Sequence, residues 1–331
     1  MATRALTAGL LWLLLLALPS GCSSKEGFVL GANVKVSPDA AWGSEPAARS
    51  LQQLARAGAT QALLVAFVWQ ADPHSSDPVL GSDSTPELVR AGLRQMRAAG
   101  LEPVLKIHLW IPGHWAGDAD PGDRTAWFAA YQRCVQQLAQ VAVEEGVQTL
   151  VLATELRRLQ DQPQWPGLVR ATRAQFKGKL LYVADGIDHA RTFRYWSLFD
   201  AVALSLYPVL PEDSRSRDAR MQEIAAELAE LGKRVQRPVW IAELGLRSAR
   251  GSLRRPWESP EQRTAPVDLA LQAEVLQRWR QVLEQQPGIT GLAIWCWYTD
   301  PRAGGPRDSD FTPQNKPAQA VFARAGRNEA Q

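Results

Sequence analysis

Two glutamates stand directly after short apolar runs of the sequence, Glu155 after VLAT and Glu243 after VWIA. A carboxylate at the end of a buried strand must be hydrated, paired with a cation or part of a functional site, because burial of an unpaired charge costs free energy. Two such carboxyl groups suit glycoside hydrolysis, in which one protonates the leaving oxygen and the other attacks the anomeric carbon or activates water. The alternative for either glutamate is a structural ion pair with a nearby arginine, Arg157, Arg158 or Arg247.

Eight apolar runs alternate with longer helical patterns, which is typical of a parallel sheet with crossover helices. The predicted strands cover residues 28–34, 62–68, 103–107, 149–153, 179–183, 201–206, 238–242 and 291–295. A glycine-rich phosphate loop does not follow the first run, so the pattern favours a single (β/α)8 TIM barrel, an α/β fold, over an open doubly wound sheet. The two glutamates then follow the fourth and seventh strands, at the end of the barrel where active sites lie.

Side chains at other strand ends are candidates for substrate binding. Lys106 and His108 alternate along the third predicted strand and therefore point the same way, into the barrel mouth. A buried lysine needs a partner, and both a sugar hydroxyl or carboxylate and a salt bridge that orients Glu155 remain open. Indole rings suit the apolar faces of sugars, with core packing as the alternative for Trp110 and Trp297. The full set of further candidates is Trp110, Tyr207, Trp295, Trp297, Asn33 and Trp69.

The N-terminal segment is predicted to be a targeting signal rather than part of the fold. Residues 1–21 combine Arg4 with an apolar run that is short for a membrane span, and small residues precede Cys22 as in a bacterial lipobox. We therefore expect an exported cell-envelope lipoprotein lipidated at Cys22, with residues 22–27 as a tether and residues 28–325 as one catalytic domain. Pro19 departs from the lipobox pattern, so ordinary signal cleavage and secretion is the alternative.

Composition excludes several classes of protein and site. The 37 basic and 34 acidic residues are spread along the chain, which argues against a nucleic-acid partner. Cys134 and Cys296 lie in apolar surroundings and are predicted to be core thiols rather than a disulfide framework. Metal-ligand spacings such as C-x-x-C and H-E-x-x-H do not occur, so neither a metal nor a cofactor is expected. We expect a monomer that binds carbohydrate and contacts a membrane only through its lipid anchor.

Several motifs resemble glycoside hydrolase family 113, and the similarity runs from about residue 31 to residue 318. The motifs are KIHLW at 106–110, WFAAY at 127–131, TEL at 154–156, IAELG at 241–245, IWCW at 294–297 and DFTPQNKPA at 310–318. This resemblance implies a retaining clan of (β/α)8 barrels and hydrolysis of β-1,4-mannan by double displacement. Matched residue by residue, it implies Glu155 as the acid/base and Glu243 as the nucleophile.

The same resemblance implies roles for three further positions. Tyr207 would lie beside the nucleophile, where packing at the rim against Pro208 is the alternative. Trp295 would be the platform for a sugar ring. Thr154 takes the place of an asparagine that many clan members carry, which leaves the contact to the sugar 2-hydroxyl open.

Substrate and role have alternatives as well. The arginine-rich segment 247–263, which follows Glu243, would reshape the cleft or favour an acidic glycan. A non-catalytic glycan-binding or envelope-scaffold lipoprotein on a glycosidase-like barrel is the alternative from a different class. A transglycosylase with the same covalent step is the third.

Overall fold

The apolar runs of the sequence become the strands of one sheet in the computed structural model, which describes residues 27–323. The strands are β1 (Val29–Lys35), β2 (Gln61–Trp69), β3 (Val79–Leu80), β4 (Glu102–Trp110), β5 (Thr149–Thr154), β6 (Lys179–Asp185), β7 (Val202–Leu206), β8 (Val239–Leu244) and β9 (Ile289–Tyr298). Only β3 pairs antiparallel, and β1 pairs with both β2 and β9, so the other eight strands close into a parallel barrel. The predicted (β/α)8 barrel is confirmed.

Helices connect the barrel strands and cover the outside of the sheet. They are α1 (Glu45–Ala57), α2 (Pro86–Ala98), α3 (Arg124–Glu144), α4 (Trp165–Gln175), α5 (Gly186–Thr192), α6 (Ser214–Val235) and α7 (Leu269–Gln285), with short 3-10 turns at Ala116–Asp118, Arg157–Leu159, Trp196–Leu198 and Pro317–Phe322. Within residues 27–323, none of these helices has the length and apolar character needed to cross a membrane.

Local sequence sets the ends of these helices, as α1 illustrates. The Ser44 side chain accepts a hydrogen bond from the backbone N–H of Ala47 and so caps the first turn. Gly58 ends the helix at φ 113°, where a Cβ atom would lie 2.2 Å from the carbonyl oxygen of Phe322. Glycine is therefore required at the point where the chain turns back toward β2.

Two apolar layers hold the barrel together. The smaller cluster lies inside the barrel and takes residues from seven of its eight strands: Leu63, Val104, Val151, Leu181, Val183, Ala201, Ala203, Trp240, Ala242 and Ala293. The larger cluster lies between strands and helices, and it contains an aromatic group around Trp165 with Phe128, Tyr182, Phe193 and Phe199. Cys134 and Cys296 are buried and unpaired, as predicted.

Several strands run further than predicted, β4 and β9 by three residues, and one strand was not predicted at all. β4 continues to Trp110 and β9 to Tyr298, because their last residues keep pairing with β2 and β1. His108 therefore lies within a strand rather than at its end. β3 was missed because two residues carry no periodic signal, yet its pairing with the end of β2 fixes Trp69 at the rim.

Replacement of Trp165 by alanine is expected to lower the free energy of unfolding by about 3–5 kcal/mol, because it leaves a cavity in the outer layer. It also removes the indole N–H that donates to the Leu159 carbonyl at 2.9 Å. Urea unfolding followed by circular dichroism measures the change. Trp257→Ala is the matched control, since Trp257 is 57% exposed and its loss should change the value by less than about 0.5 kcal/mol. Equal effects of the two substitutions would contradict the packing described for Trp165.

Candidate active site

Both glutamates lie buried at the carboxyl ends of the barrel strands. Glu155 directly follows β5, and its backbone N–H donates to the Val183 carbonyl on β6 at 2.8 Å. Its φ of 56° is left-handed, a conformation that costs a non-glycine residue about 1–2 kcal/mol. Glu243 belongs to β8, after an irregularity in the pairing with β7. The backbone thus turns both carboxyl groups into the barrel mouth.

Both oxygens of Glu243 have partners. Oε1 forms an ion pair with Lys106, and Oε2 accepts a hydrogen bond from the Tyr207 hydroxyl at 3.2 Å. Burial lowers the pKa of Lys106, while the charges of Glu243 and Glu155 oppose that effect. The salt bridge that sequence reasoning assigned to Glu155 as one alternative therefore joins Lys106 to Glu243 instead.

Asn33 is a second hydrogen-bond partner of Lys106. Its Oδ1 accepts from Lys106 Nζ at 2.8 Å, and its Nδ2 donates to the carbonyl oxygens of Ala242 at 2.9 Å and Ile294 at 3.4 Å. The side chain is fully buried and its amide is engaged within the barrel. The prediction that Asn33 binds substrate is therefore wrong, because the barrel uses its polar atoms to support the ion pair.

Trp297 is a second correction among the predicted substrate contacts. Its ring is fully buried, packs against Phe322 and donates from Nε1 to the Ser50 hydroxyl of α1 at 2.8 Å. In a regular strand, Trp295 and Trp297 would point to the same face of the sheet. The register shift between β1 and β9 falls between these two residues, and their side chains therefore point to opposite faces. Trp297 belongs to the helix layer, so the core-packing alternative holds.

Glu155 has a different environment from Glu243. Its Oε2 accepts a hydrogen bond from the indole N–H of Trp115 at 2.6 Å. Burial, reinforced by the charge of Glu243, raises the pKa of Glu155 to about 8, although hydrogen bonds from Ser205 and Trp115 oppose the rise. This carboxyl group therefore holds a proton at neutral pH. Thr154, just before it, donates its hydroxyl to the Ile107 carbonyl at 3.1 Å and is engaged there.

His108 faces Glu243 without bonding to it. Its Nε2 lies 3.9 Å from Glu243 Oε1, and its Nδ1 lies 2.9 Å from the Leu109 carbonyl. Burial lowers the pKa of His108 to about 4, so the ring is neutral at pH 7. Since the carbonyl can only accept, Nδ1 carries the proton and Nε2 presents a lone pair toward the mouth.

A row of rings leads from the glutamates to the rim. Successive ring centroids are 6.0 Å apart from Trp295 to His108, 5.9 Å from His108 to Phe67 and 5.6 Å from Phe67 to Trp110. Trp69 and Trp110 are register partners on β2 and β4, and they are 40% and 41% exposed. Half-exposed indoles at the end of such a row can stack against sugar rings.

Part of the arginine-rich segment after Glu243 is bound to the protein's own polar groups. Arg247 is buried and donates to the carbonyl oxygens of Ser259, Arg263 and Ser309 at 2.8–3.2 Å. Lys316 supports the same region through the Ser248 hydroxyl and the Asp308 carboxylate. Arg255 and Arg263 both bond to Glu258. Arg247 and Arg263 therefore shape the loop, whereas Arg254 and Arg255 are 76% and 64% exposed and each pairs with a glutamate.

Several mouth residues were missed from the sequence. Trp115 lies in the long loop after β4, and only the folded loop brings its indole to Glu155. Asp185 ends β6 two residues beyond the predicted strand and was not among the predicted site residues. Lys35 ends β1 and places its ammonium 5.5 Å from the centre of the Trp295 ring. Asp185 and Lys35 lie within two residues of the predicted ends of their strands. A search for polar side chains just beyond each predicted strand would therefore have found both.

The arrangement suits chemistry that needs one protonated and one ion-paired carboxyl group. Glu155 can give up a proton, and Glu243 can attack an electrophilic carbon from within hydrogen-bond reach of Tyr207. Among residues 27–323, no group of three or more histidine, cysteine, aspartate or glutamate side chains is placed to hold a metal ion.

Known proteins that resemble the chain are glycoside hydrolases. The GH113 β-mannanase AaManA from Alicyclobacillus acidocaldarius, solved in complex with ManMIm, superposes with a TM-score of 0.79 and 21% identity over 90% of this chain and 97% of that chain. A GH113 β-1,4-mannanase gives a TM-score of 0.77 and 19% identity over 89% and 97%. A GH5_18 enzyme from Streptomyces cattleya in complex with Manβ1-4GlcNAc gives 0.60 and 15% over 92% and 82%.

At these identities the structural likeness shows a common fold. No curated protein matches the sequence. The model of Glycoside Hydrolase Family 113, in contrast, matches residues 34–316, which is most of the chain. The match includes both glutamates of the barrel mouth, and the chain therefore belongs to glycoside hydrolase family 113.

Proposed function

We propose that this glycoside hydrolase is a retaining enzyme that cleaves β-1,4-linked mannan, with Glu155 as acid/base and Glu243 as nucleophile. The observation that carries the proposal is the contrast between two carboxyl groups in one mouth. Glu155 lies against an indole and keeps a proton up to about pH 8, whereas Glu243 lies against an ammonium and a phenolic hydroxyl. Such paired but opposite environments separate an acid from a nucleophile.

In the first step, an oxygen of Glu243 bonds to the anomeric carbon while the glycosidic bond breaks. Glu155 gives its proton to the leaving oxygen, so the departing sugar leaves as an alcohol. In the second step, ionised Glu155 takes a proton from water, whose oxygen attacks the anomeric carbon and releases Glu243. Two inversions leave the product with the configuration of the substrate.

Neighbouring side chains assist each step. Lys106 and Tyr207 hold the two oxygens of Glu243 and fix its direction of attack. The sugar 2-hydroxyl adjoins the anomeric carbon, so the lone pair of His108 beside Glu243 is placed to accept from it. This assignment fills the role that Thr154 cannot take, because its hydroxyl is bound to the backbone. Trp295 is the platform for the reacting sugar.

A mannan substrate is supported from two sides. The similar GH113 structures are described as β-mannanases. Arg247 and Arg263 of the segment after Glu243 are bound to the protein's own carbonyl and carboxylate groups, which weakens the case for an acidic glycan. The exposed pair Trp69 and Trp110 extends the contact surface beyond a single sugar.

Replacement of the two carboxylates is the direct test, using the chain without residues 1–22 and mannohexaose as substrate. Glu243→Ala should lower kcat/KM by at least about 10⁴-fold and Glu155→Ala by about 10²–10⁴-fold, because each removes one chemical role. Proton NMR of the first product should show the β anomer. The rim variant Glu212→Ala, which loses only a bond to Arg254, should keep full activity. An α product would rule out retention, and binding of mannohexaose without turnover by the parent would favour the scaffold alternative.

The pH profile tests the acid. Because burial raises the pKa of Glu155 to about 8, kcat/KM should stay high through neutral pH and fall about tenfold per pH unit above pH 8, as the proton is lost. Trp115→Phe removes a hydrogen bond that lowers the pKa of Glu155, so the alkaline limb should move to higher pH. Trp257→Phe, at an exposed position, should leave the limb in place. A limb that stays fixed or moves down in Trp115→Phe contradicts the assignment.

We also propose that the chain is exported and tethered to a membrane through a lipid on Cys22, a position outside the described residues. The full chain expressed in a bacterium should then fractionate with membranes, and Cys22→Ser should appear in the soluble fraction with unchanged kcat/KM. Immunoblotting of the fractions measures the distribution. The same distribution for both proteins would leave ordinary signal cleavage as the explanation of residues 1–21.

A further inference from the structure

Beside the acid/base lies a pair of charged side chains that the proposed mechanism does not use, Arg157 and Asp185. Asp185 is the last residue of β6, and Val183 two positions earlier faces the barrel interior, so the Asp185 side chain points into the mouth. Its register partner on β7 is Ser205, which lies next to Glu155 and donates its hydroxyl to the Ala184 carbonyl at 3.3 Å. Asp185 is therefore at the same level of the barrel as the acid/base.

Both side chains are held from behind and have hydrogen-bonding capacity left over. Asp185 Oδ2 lies 3.0 Å from His189 Nδ1 and 3.8 Å from Arg157 Nη1, while Oδ1 has no hydrogen-bond partner among residues 27–323. The Arg157 guanidinium lies 4.6 Å from the centre of the Trp115 ring, and its side chain makes no hydrogen bond within the same range of residues. The side chains of Asp185 and Arg157 are 29% and 41% exposed.

The position of Glu155 indicates on which side of the scissile bond Arg157 and Asp185 lie. Glu155 protonates the leaving oxygen, so the departing sugar must pass next to Glu155, on the side away from the sugar bonded to Glu243. Trp115 bonds to Glu155, Arg157 stacks on Trp115, and Asp185 adjoins Arg157. This pair therefore adjoins the acid/base through Trp115.

We propose that Arg157 and Asp185 form the subsite for the sugar on the leaving-group side of the scissile bond, an inference that rests on the proposed function. A sugar presents adjacent hydroxyls that each donate and accept, and a free carboxylate oxygen beside free guanidinium donors matches two of them. The sugar bound here is uncharged, because Asp185 already balances Arg157 and would repel a second carboxylate. The ring of Trp115 supports the guanidinium in a fixed plane.

The same subsite receives an acceptor sugar in the reverse direction. Ionised Glu155 then removes the proton from an acceptor hydroxyl instead of water, the acceptor oxygen bonds to the anomeric carbon, and the bond to Glu243 breaks. No further reactant is needed, and the product is a longer oligosaccharide. The subsite therefore governs the ratio of transfer to hydrolysis.

Two substrates separate this subsite from the reacting centre. Mannohexaose places a sugar in the subsite, whereas 4-nitrophenyl β-mannotrioside places an aryl group there when nitrophenol is released. Arg157→Met, which keeps an apolar chain on Trp115, and Asp185→Ala should each lower kcat/KM on mannohexaose by about 10–100-fold. Release of nitrophenol should change by less than about threefold. At high mannohexaose concentration, the share of products longer than the substrate should fall in both variants.

Arg158→Met is the matched control, because the neighbouring Arg158 lies 3.4 Å from Asp120 and should affect neither substrate. Thermal unfolding shows whether each variant is folded. If Asp185→Ala is unstable, the kinetics of Arg157→Met alone test the proposed subsite. Equal losses on both substrates, with an unchanged product ratio, would mean that the pair only supports Trp115 and Glu155, and would overturn the inference. Unchanged rates on both would overturn it as well. A parent enzyme inactive on both substrates is a separate result, since it refutes the mannanase proposal itself.

Discussion

One buried ion pair, between Lys106 and Glu243, is the constraint on which the mouth of this barrel depends. Removal of two charges from water costs several kcal/mol for each ion unless the geometry is good and the remaining polar atoms are satisfied. The barrel meets that condition with Asn33, which accepts from Lys106, and with Tyr207, which donates to Glu243. Because Asn33 is itself anchored to backbone carbonyls of β8 and β9, the pair ties β1, β4, β8 and β9 into one unit.

The ion pair also explains how one barrel mouth can give two carboxyl groups different environments. All eight parallel strands place their carboxyl ends at the same face of the barrel, so polar residues at those ends lie around one mouth. A single cation assigned to Glu243 leaves Glu155 with an indole, a hydroxyl and the repulsion of its neighbour. The different environments of the two carboxyl groups thus follow from which strand carries the lysine, more than from the glutamates themselves.

The sequence was informative wherever a pattern repeats over several residues. Short apolar runs, alternating with helical patterns of period three to four, located the eight barrel strands and the two glutamates at their ends. It failed where the decisive information is a register or a contact between distant segments. Trp297 was placed in the mouth because the shift between β1 and β9 cannot be read from β9 alone. Trp115 was missed for a related reason, since only the folded loop brings its indole to Glu155.

The buried cations Arg247 and Lys316 carry a further consequence for the loops that wall the cleft. Arg247 binds backbone carbonyls from the loops after β8 and β9, and Lys316 joins the same two segments through Ser248 and Asp308. The walls of the cleft are therefore pre-organised. A long glycan chain can bind between them without ordering the loops first, so binding avoids that loss of conformational entropy. Segments pinned in this way also open rarely, so the cleft should resist proteases that attack locally unfolded chain.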